Sequence, residues 1–429
     1  MTQRRVVSFA AFATAIHSRA DGTIVIGRDA QSGEWRPICP SHASPASYIA
    51  DMTSKPTILT LAAVLLAGTI PLSAQETFST EEVELRADVI ADGLEHPWSL
   101  DFLPDGGAIV TERPGRMRIV ARDGSLSDPV EGLPEVRASG QGGLLDVAVA
   151  RDFARTGTIF FTFSEPGDGG AGTAIARARL TLDGRTARLE DVDVLFSMAK
   201  KTGRGQHFGS RIVLHPDGTV FFSTGDRGQG DRAQDMKDSA GGILRIAADG
   251  STPADYPYAD GRDALPQIWS KGHRNPQGFT IDDEGKLWTV EHGAQGGDEV
   301  NSPEAGKNYG WPEVSYGRNY NGAKIGVGTE APGYEQPLWY WDPSIAPSGL
   351  AVYSGDMFPE WKGDLLAGAL KFQLLSRLDR DQSGRIVAEE RMLDGAFGRI
   401  RDVNVAPDGS VWLLTDEGDG QIVRLSRGE

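Results

Sequence analysis

The fold is decided by the stretch Arg211-Ile212-Val213-Leu214-His215-Pro216-Asp217-Gly218-Thr219-Val220-Phe221-Phe222. An alternating segment passes through a Pro-Asp-Gly turn into a second segment rich in β-branched and aromatic residues, which is the pattern of two antiparallel strands. Clear copies of this unit lie at 99–110, 279–290 and 403–414, and looser copies lie at 145–161 and 350–366. Such repetition indicates strands arranged in similar modules.

Counted along the chain, the repeat gives six units, and each interval between them holds further strand candidates. We therefore predict an all-β protein, a six-bladed β-propeller with about four antiparallel strands per blade. A pair of β-sandwiches would not explain six copies of one unit. The segment 82–91 precedes the first unit and is expected to pair with the last blade, closing the ring. The units start near Trp98, Leu145, Arg211, Gly278, Gly349 and Asp402.

Composition narrows the classes of function. The chain has 429 residues, 54 Gly and 24 Pro with 39% hydrophobic residues, which describes a turn-rich globular protein rather than a disordered one. Its formal net charge of -17 argues against nucleic acid or an anionic membrane as partner. A soluble protein acting on small molecules fits this balance better.

The N-terminal region has the order of a secretory signal. A basic start at Met52 is followed by the apolar run 58–70 and by a small residue, Ala74, at the expected cleavage site. We expect 1–51 to be a non-native extension, 52–74 to be the signal peptide, and 75–429 to be a single catalytic propeller domain. Cys39 is the sole cysteine, so the mature chain would have none, which suits a bacterial periplasm.

Polar residues that suit a binding site precede the first strands of several units. Arg274 offers planar bidentate donors to an oxyanion, and the following Asn275 adds an amide; Pro276 keeps Asn275 extended, on a loop. A buried arginine tying two loops together is the alternative. His207 lies in a glycine-flanked loop and could act as a general base or as a structural histidine. Since equivalent places in successive blades face one another, these residues and Gln141 indicate a common site.

Several cations share that end of the predicted ring. Arg399 and Arg401 lie on one face of an extended segment, because alternate residues of a strand point the same way. Asp402 could neutralise one of them in a structural ion-pair cluster. Together with Arg274 and Lys371 they make four cations in an acidic protein, which favours a small polyanionic cofactor or substrate.

Two further segments have a functional and a structural interpretation. The stretch 291–299 combines glycines with carboxylates, a combination that suits calcium, although a solvated turn explains it equally. The aromatic residues of 309–312 and 316–320 could form a stacking surface for a sugar or could pack between blades.

From about Val89 to Leu425 the chain resembles the soluble quinoprotein sugar dehydrogenases, six-bladed propellers that bind pyrroloquinoline quinone (PQQ). It is most similar to their periplasmic aldose sugar dehydrogenase branch. The motifs that carry the resemblance are 140–145 (GQGGLL), 207–209 (HFG), 272–278 (GHRNPQG), 291–301, 307–312 (KNYGWP), 368–371 (GALK) and 399–402 (RIRD).

This resemblance implies PQQ- and calcium-dependent oxidation of aldose sugars at the anomeric carbon to aldonolactones. It implies that His207 is the base that takes the proton of the anomeric hydroxyl while hydride passes to the quinone, and that Arg274 polarises a quinone oxygen. The residues that would border or hold the cofactor are Gln141, Arg274, Asn275, Tyr320, Ala369, Lys371, Arg399 and Arg401.

The resemblance also implies two calcium sites. Carbonyl groups of Gly293 and Ala294 would bind the calcium ion that contacts the quinone, and Glu299 with Tyr309 would belong to a second, structural site. One departure concerns the base: in the glucose dehydrogenase branch an acidic residue precedes the catalytic histidine, whereas Gln206 does here. Another group must therefore orient His207, or its basicity will be lower.

We expect a monomer with broad aldose specificity that passes electrons to an unidentified acceptor. Two competing interpretations are a propeller lactonase, whose calcium is held by side-chain carboxylates and Asn on the central axis, and a non-enzymatic binding propeller. Neither requires the cationic cluster or a histidine opposite Arg274.

Overall fold

The computed structural model describes residues 26–28, 35–37 and 76–428. The first two ranges form a short antiparallel hairpin of β1 (Ile26–Arg28) and β2 (Trp35–Pro37). The signal-peptide range 52–74, Cys39 and most of the 1–51 extension lie outside the described residues, so those expectations remain predictions. Within the described residues, no helix is both long and apolar enough to cross a membrane.

In residues 76–428 the regular secondary structure is almost entirely β-strand, with one short helix, α1 (Phe153–Thr156), and two 3₁₀ turns at Gly230–Gln234 and Pro359–Trp361. In chain order the strands are β3 (Glu76–Ser79), β4 (Glu84–Leu94), β5 (Pro97–Phe102), β6 (Ala108–Glu112), β7 (Arg116–Val120), β8 (Leu144–Val149), β9 (Thr158–Gly167), β10 (Gly170–Asp183), β11 (Thr186–Ser197), β12 (Gly209–Leu214), β13 (Thr219–Thr224), β14 (Gly242–Ala247), β15 (Ile268–Lys271), β16 (Pro276–Ile281), β17 (Leu287–Glu291), β18 (Asp298–Asn301), β19 (Trp339–Trp341), β20 (Pro347–Val352), β21 (Leu365–Ala369), β22 (Leu375–Arg380), β23 (Ile386–Met392), β24 (Ile400–Val405), β25 (Val411–Thr415) and β26 (Gly420–Arg427).

These strands make six antiparallel sheets, which we call blades 1 to 6. Blade 1 is β5 to β7 and blade 2 is β8 to β11. Blade 3 is β12 to β15, blade 4 is β16 to β19 and blade 5 is β20 to β23. Blade 6 has the order β24-β25-β26-β4-β3. The first strand of each blade lies beside the first strand of the next, and β24 lies beside β5, so the ring closes. The predicted six-bladed propeller is confirmed, with three strands in blade 1 and five in blade 6 in place of a uniform four.

Ring closure is made by the N-terminal part of the propeller. Strand β4 pairs with β26, with Ala87 opposite Leu425 and Asp88 opposite Arg424. Segment 82–91 therefore pairs with the last blade, as predicted. Joining the first and last parts of the chain in one sheet covers an edge that would otherwise be open.

The repeated turn explains why the blades form where the sequence indicates. In the quoted stretch, Asp217 Oδ1 accepts hydrogen bonds from the Thr219 amide at 2.9 Å and hydroxyl at 2.7 Å. Gly218 adopts a φ of 87°, which a side chain would disfavour. Asp408 makes the same amide contact with Ser410 in blade 6, at 3.0 Å. The turn is thus closed by its own side chain, through contacts that need no other blade.

Apolar side chains from neighbouring blades pack between the sheets. Between blades 5 and 6, Trp361 and Phe358 are fully buried and stacked, with ring centroids 4.5 Å apart. They pack with Leu366 and Leu413, which are also fully buried. Each such side chain contributes roughly 1.5–3 kcal/mol by leaving water, so packing between blades is the main source of stability.

In all six blades, the register between the first and second strands shifts near the start of the first strand. Blade 3, for example, pairs Gly209 with Thr224 and then Ile212 with Phe222, and blade 6 has the same shift between Ile400 and Asp402. Such bulges bend a strand and redirect its side chains. The first strands of the six blades surround the central channel of the propeller. We call the end of this channel where the first strands begin the N-terminal mouth, and we call the other end the C-terminal mouth.

Candidate active site at the N-terminal mouth

A cavity of about 220 Å³ opens at the N-terminal mouth. Its walls come from the starts of first strands, from the loops before them and from the loops that follow second strands, and most of the lining side chains are polar. The lining residues are Trp98, Arg113, Gly140, Gln141, Gln277, His292, Ala346, Leu370, Arg399, Arg401 and Asp416. The structure thus brings the predicted residues Gln141, Arg399 and Arg401 to one place.

His207 lies beside this group, in the loop that enters β12. Its backbone has a φ of 56° and its side chain is buried. The Gln141 side chain fixes the loop, since Oε1 accepts the His207 amide hydrogen at 2.8 Å. Gly225 is also required here, because a Cβ on it would overlap the His207 carbonyl group. The loop therefore holds the imidazole in a single place.

The group that orients the imidazole is Asp226, which was not predicted from the sequence. Its Oδ1 lies 2.7 Å from His207 Nδ1, and its Oδ2 accepts from the indole nitrogen of Trp311 at 2.8 Å. The Gly228 amide donates to Oδ1 at 2.6 Å. Because a carboxylate favours the hydrogen on Nδ1, Nε2 is left as the basic nitrogen. Asp226 supplies the carboxylate that Gln206 cannot.

The local charges favour a neutral histidine beside an ionised aspartate. Burial lowers the pKa of His207, the hydrogen bond with Asp226 opposes this change, and the Arg274 charge lowers it further. Burial acts to raise the pKa of Asp226, but the hydrogen bond and charge of His207 hold it below its ordinary value. At neutral pH the pair is ready to accept a proton at Nε2.

The loop between β15 and β16 positions Arg274 and Asn275, as predicted. Arg274 is buried, donates from Nη1 to the His292 carbonyl at 3.1 Å, and lies with its Cζ 5.2 Å from the centre of the Trp311 ring. Asn275 Oδ1 accepts the Gly209 amide hydrogen at 3.1 Å, which joins blades 3 and 4. Arg274 Nε and Asn275 Nδ2 are buried without a partner in the described residues. These donors are free for a ligand.

Glu291 supports this loop from behind. Its Oε2 accepts the Arg274 amide hydrogen at 2.6 Å, and its Oε1 lies 2.9 Å from His273 Nδ1. Asn301 Nδ2 donates to the same Oε1 at 3.1 Å. Glu291 therefore acts on the site through the backbone and not by facing the cavity.

The cations of blade 6 share one buried carboxylate. Asp416 Oδ2 lies 2.8 Å from Arg401 Nη2 and 3.3 Å from Arg399 Nη2. Asp402, the alternative partner considered from the sequence, does not neutralise either arginine, because its Oδ1 pairs with Arg211 at 2.7 Å. The register shift in β24 lies between Ile400 and Asp402, and Arg401 and Asp402 line the cavities at opposite mouths of the channel. Burial acts to raise the pKa of Asp416, but the Arg401 charge holds it below its usual range.

Arg274 and Asn275 lie next to the cavity but are not part of its lining, and three other predicted cofactor residues also lie outside the lining. Lys371 is exposed, and its ammonium group makes no hydrogen bond or ion pair within 76–428. Tyr320 is 79% exposed on the long loop between β18 and β19. Ala369 is buried at the end of β21, next to Leu370, whose carbonyl accepts from Arg399 Nη1 at 3.2 Å. Contacts of Lys371, Tyr320 and Ala369 with a cofactor therefore remain predictions.

The predicted calcium residues are all in blade 4. Gly293 has no room for a side chain, because a Cβ would overlap the carbonyl groups of Gly296 and Gly297. The partly buried Glu299 has its pKa raised to about 8 by desolvation and by the neighbouring Glu291. Asn301 Oδ1 is buried beside these two carboxylates without a partner in the described residues. This surplus of oxygen acceptors fits a hard cation.

Two observations bear on which atoms could bind the predicted calcium ions. Tyr309 stacks on His273 with ring centroids 4.7 Å apart, and its hydroxyl donates to the Ser302 carbonyl, so its ring packs inside the blade. Within the described part of the chain, no group of three or more His, Cys, Asp and Glu side chains could hold a metal ion. A calcium ion here would need backbone carbonyls or ligand oxygens.

His292, like Asp226, is a site residue that was not predicted from the sequence. His292 lines the cavity and its Nε2 lies 2.7 Å from the Pro347 carbonyl oxygen. Burial, and then the charge of Arg274, lower the pKa of His292 to about 3, so it stays neutral. A hydrogen donated from Nε2 leaves Nδ1 as an acceptor. No local sequence signal marks Asp226: it comes opposite His207 only through the shifted register that pairs Gly209 with Thr224.

Fold and site together define a propeller with a histidine-aspartate pair and a cationic cavity at one mouth. Residues 94–424 match the model of the Glucose / Sorbosone dehydrogenase family. The chain is 41% identical over 349 residues to the aldose sugar dehydrogenase YliI of Escherichia coli, covering 80% of this chain and 93% of the relative. The chain therefore belongs to the Glucose / Sorbosone dehydrogenase family, and the family resemblance is confirmed.

Solved structures agree with this assignment. The apo-form of the soluble aldose sugar dehydrogenase from Escherichia coli is 41% identical with a TM-score of 0.77, covering 80% of this chain and all of that one. The PQQ-bound form of an aldose sugar dehydrogenase from Streptomyces coelicolor is 27% identical with a TM-score of 0.67, covering 81% of this chain and 99% of that one.

Proposed function

We propose that this protein catalyses the PQQ- and calcium-dependent oxidation of aldose sugars at the anomeric carbon, giving aldonolactones. One observation carries the proposal. Buried donors of Arg401, which lines the cavity, and of Arg274 and Asn275, which lie next to it, have no partner within 76–428. Beside them is a neutral histidine bound to a carboxylate. Unpaired buried donors are costly, which favours a bound group with many oxygens. PQQ, with its quinone and three carboxylates, is such a group.

In this proposal His207 is the catalytic base. Its Nε2 accepts the proton of the anomeric hydroxyl, and the Asp226 carboxylate stabilises the imidazolium that results. Bound PQQ would supply the acceptor for the hydride that leaves the anomeric carbon. Arg274 and Asn275 would stabilise the negative charge that develops on an oxygen within reach of their free donors.

The other predicted residues would hold the cofactor and the ions. Arg399 and Arg401 would bind carboxylates, Lys371 would add a third cation, and Gln141 orders the base loop. Tyr320 and Ala369 would border the quinone. The carbonyl groups of Gly293 and Ala294 would bind a calcium ion shared with the cofactor, and Glu299 with Tyr309 would belong to a second calcium site.

The remaining parts of the proposal concern the cell. We expect export to the periplasm through the signal at 52–74, a monomeric protein, an aldose as the small-molecule substrate and an electron acceptor that is not yet identified. The sequence of the exported protein's N-terminus would test the start at Met52. Export of a chain that begins at Thr2 would contradict it.

Reconstitution tests the reaction. The purified apo-protein is incubated with PQQ and calcium, desalted, and assayed for dye reduction with a panel of aldoses. We expect quinone absorbance to remain with the protein and dye reduction to depend on sugar, PQQ and calcium. Retained PQQ without activity on any aldose would reject the substrate class, and no retained PQQ would reject the cofactor.

A further inference from the structure

Arg113 contributes a third guanidinium to the cavity of the N-terminal mouth, one that the sequence did not indicate. It follows β6 in blade 1, whereas Arg399 and Arg401 come from blade 6. The three side chains therefore meet at the ring seam, by which we mean the boundary between blades 1 and 6. Gln141, from the start of blade 2, lines the same cavity.

The Arg113 guanidinium contacts the protein through two of its nitrogen atoms and has further donors free. Its Nη1 donates to the Gly140 carbonyl at 2.5 Å, and its Nη2 lies 4.0 Å from Asp416 Oδ1. The side chain is 25% exposed. A guanidinium has five N–H donors, so most of those of Arg113 remain available to a ligand.

The adjacent acidic residue does not neutralise Arg113. Glu112 is fully buried and faces away, with Oε1 accepting from Arg116 Nη2 at 2.6 Å and from the Glu95 amide at 2.7 Å. Asp416 is the one carboxylate among the described residues that line the cavity. It already contacts Arg399 and Arg401, and His96 Nδ1 lies 3.0 Å from its Oδ1.

Charge in the cavity is thus out of balance. Three guanidinium groups surround a single carboxylate in a partly buried space, and like charges brought together in this way are costly unless an anion joins them. The two surplus positive charges match a ligand with more than one carboxylate. The planar guanidinium group of each arginine can donate two parallel hydrogen bonds to one carboxylate.

We propose that Arg113 is a binding residue for a carboxylate of the cofactor, acting across the ring seam from Arg399 and Arg401. The inference rests on the proposed PQQ dependence and adds a residue and a direction of binding to it. A ligand held in this way connects blades 1 and 6.

The test compares PQQ with its trimethyl ester, which keeps the quinone and lacks the carboxylates. Affinity is measured with calcium present, through quenching of tryptophan fluorescence, for the wild type, Arg113→Met and Arg113→Lys. We expect Arg113→Met to raise the Kd for PQQ roughly 10- to 100-fold, as for loss of a charged hydrogen bond, and Arg113→Lys to lie in between. For the ester the variants should differ from wild type by less than about twofold.

Arg122→Met is the matched control. Arg122 is an exposed cation just after β7 of the same blade, it binds the Asp105 carbonyl at the far turn, and its loss changes the net charge equally. Its Kd for PQQ should stay within about twofold of wild type. Thermal unfolding without PQQ shows whether each variant folds, and Arg113→Lys keeps the test valid if Arg113→Met does not.

The outcomes separate the two proposals. Wild type that fails to bind PQQ overturns the proposed function. Wild type that binds PQQ, with Arg113→Met binding it equally well, overturns only the assignment of Arg113. Weakening of PQQ and ester to the same extent also overturns it, because the effect would then not come from a carboxylate.

Discussion

At the C-terminal mouth a cavity of about 410 Å³ is lined by Asp101, Asp146 and Asp402 beside Arg211, whereas the cavity at the N-terminal mouth holds about 220 Å³ and is lined by arginines. Both are polar and both lie on the axis of the ring. They differ in pairing: among the described residues, the N-terminal mouth has buried donors without partners and the C-terminal mouth has none. Unmet hydrogen bonds, and not volume, therefore indicate where a ligand belongs.

The C-terminal mouth uses its charges to join blades. Asp101, Asp146 and Asp402 each accept an amide hydrogen from the next blade, at 2.6, 2.6 and 3.1 Å. Arg211 binds Asp402 and Asp146 through Nη1, at 2.7 and 3.3 Å, and donates to the Gln277 carbonyl at 2.7 Å. None of the described residues that line this cavity has a buried side-chain donor or acceptor without a partner, so the charges at this mouth serve to hold neighbouring blades together.

Loss of the base at the N-terminal mouth should have the largest effect. We expect His207→Ala to lower kcat by about 10³- to 10⁴-fold, because the proton of the anomeric hydroxyl loses its acceptor. The Kd for PQQ should change little. Steady-state kinetics and fluorescence titration measure the two quantities. Loss of PQQ binding with the activity would show that His207 holds the cofactor instead.

Asp226→Asn removes the carboxylate and keeps the shape of the side chain. We expect kcat/KM to fall about a hundredfold, since the imidazolium loses its stabilising charge. The carboxylate raises the pKa of His207, so its removal should lower that pKa further and move the acid limb of the pH-rate profile to lower pH. A profile that shifts to higher pH would contradict this role.

At the C-terminal mouth, removal of a carboxylate should lower the stability of the fold and leave PQQ binding intact. Asp146→Ala leaves the Ile212 amide unpaired and removes one partner of Arg211, so we expect a loss of about 2–3 kcal/mol in the free energy of unfolding. Urea unfolding measures this loss, with the exposed Asp123→Ala as control. A folded Asp146→Ala protein that no longer binds PQQ would break the distinction between the mouths.

The smallest expected effect is a change in how stability depends on pH. Burial, opposed by the Val149 and Phe102 amides, raises the pKa of Asp101 to about 7. The folded state then binds more protons than the unfolded state, so this group's contribution to stability is lost as pH rises from about 4 to 7. Because Asp101 is only half buried, Asp101→Asn should gain at most about 1 kcal/mol at pH 8. If the slope of unfolding free energy against pH is the same in Asp101→Asn and wild type, the raised pKa of Asp101 is contradicted.

The blades could be predicted from the sequence because their signals are local. A Pro-Asp-Gly turn and the alternation around it lie within about a dozen residues, and each unit repeats them. The site loops were found for a related reason: Arg274, Asn275 and His207 are polar residues between glycines, directly before a predicted strand.

The partners of those residues could not be predicted in the same way. Asp226 and Asp416 lie after second strands, and they meet His207 and Arg399 only through hairpin pairing. Counting back from the turn gives the wrong opposite residue, because every blade has a register shift near the start of its first strand. The pairing of Asp402 with Arg211 likewise crosses the channel from blade 6 to blade 3, which no local pattern reports.

A titration with PQQ in the presence of calcium tests the central claim most directly, using the wild type, Arg401→Met and Asp146→Ala. The free donors of the N-terminal mouth predict one PQQ per chain, a Kd at least about tenfold weaker in Arg401→Met, and a Kd in Asp146→Ala within about twofold of wild type. No binding by the wild type, or equal weakening by changes at either mouth, would contradict the account.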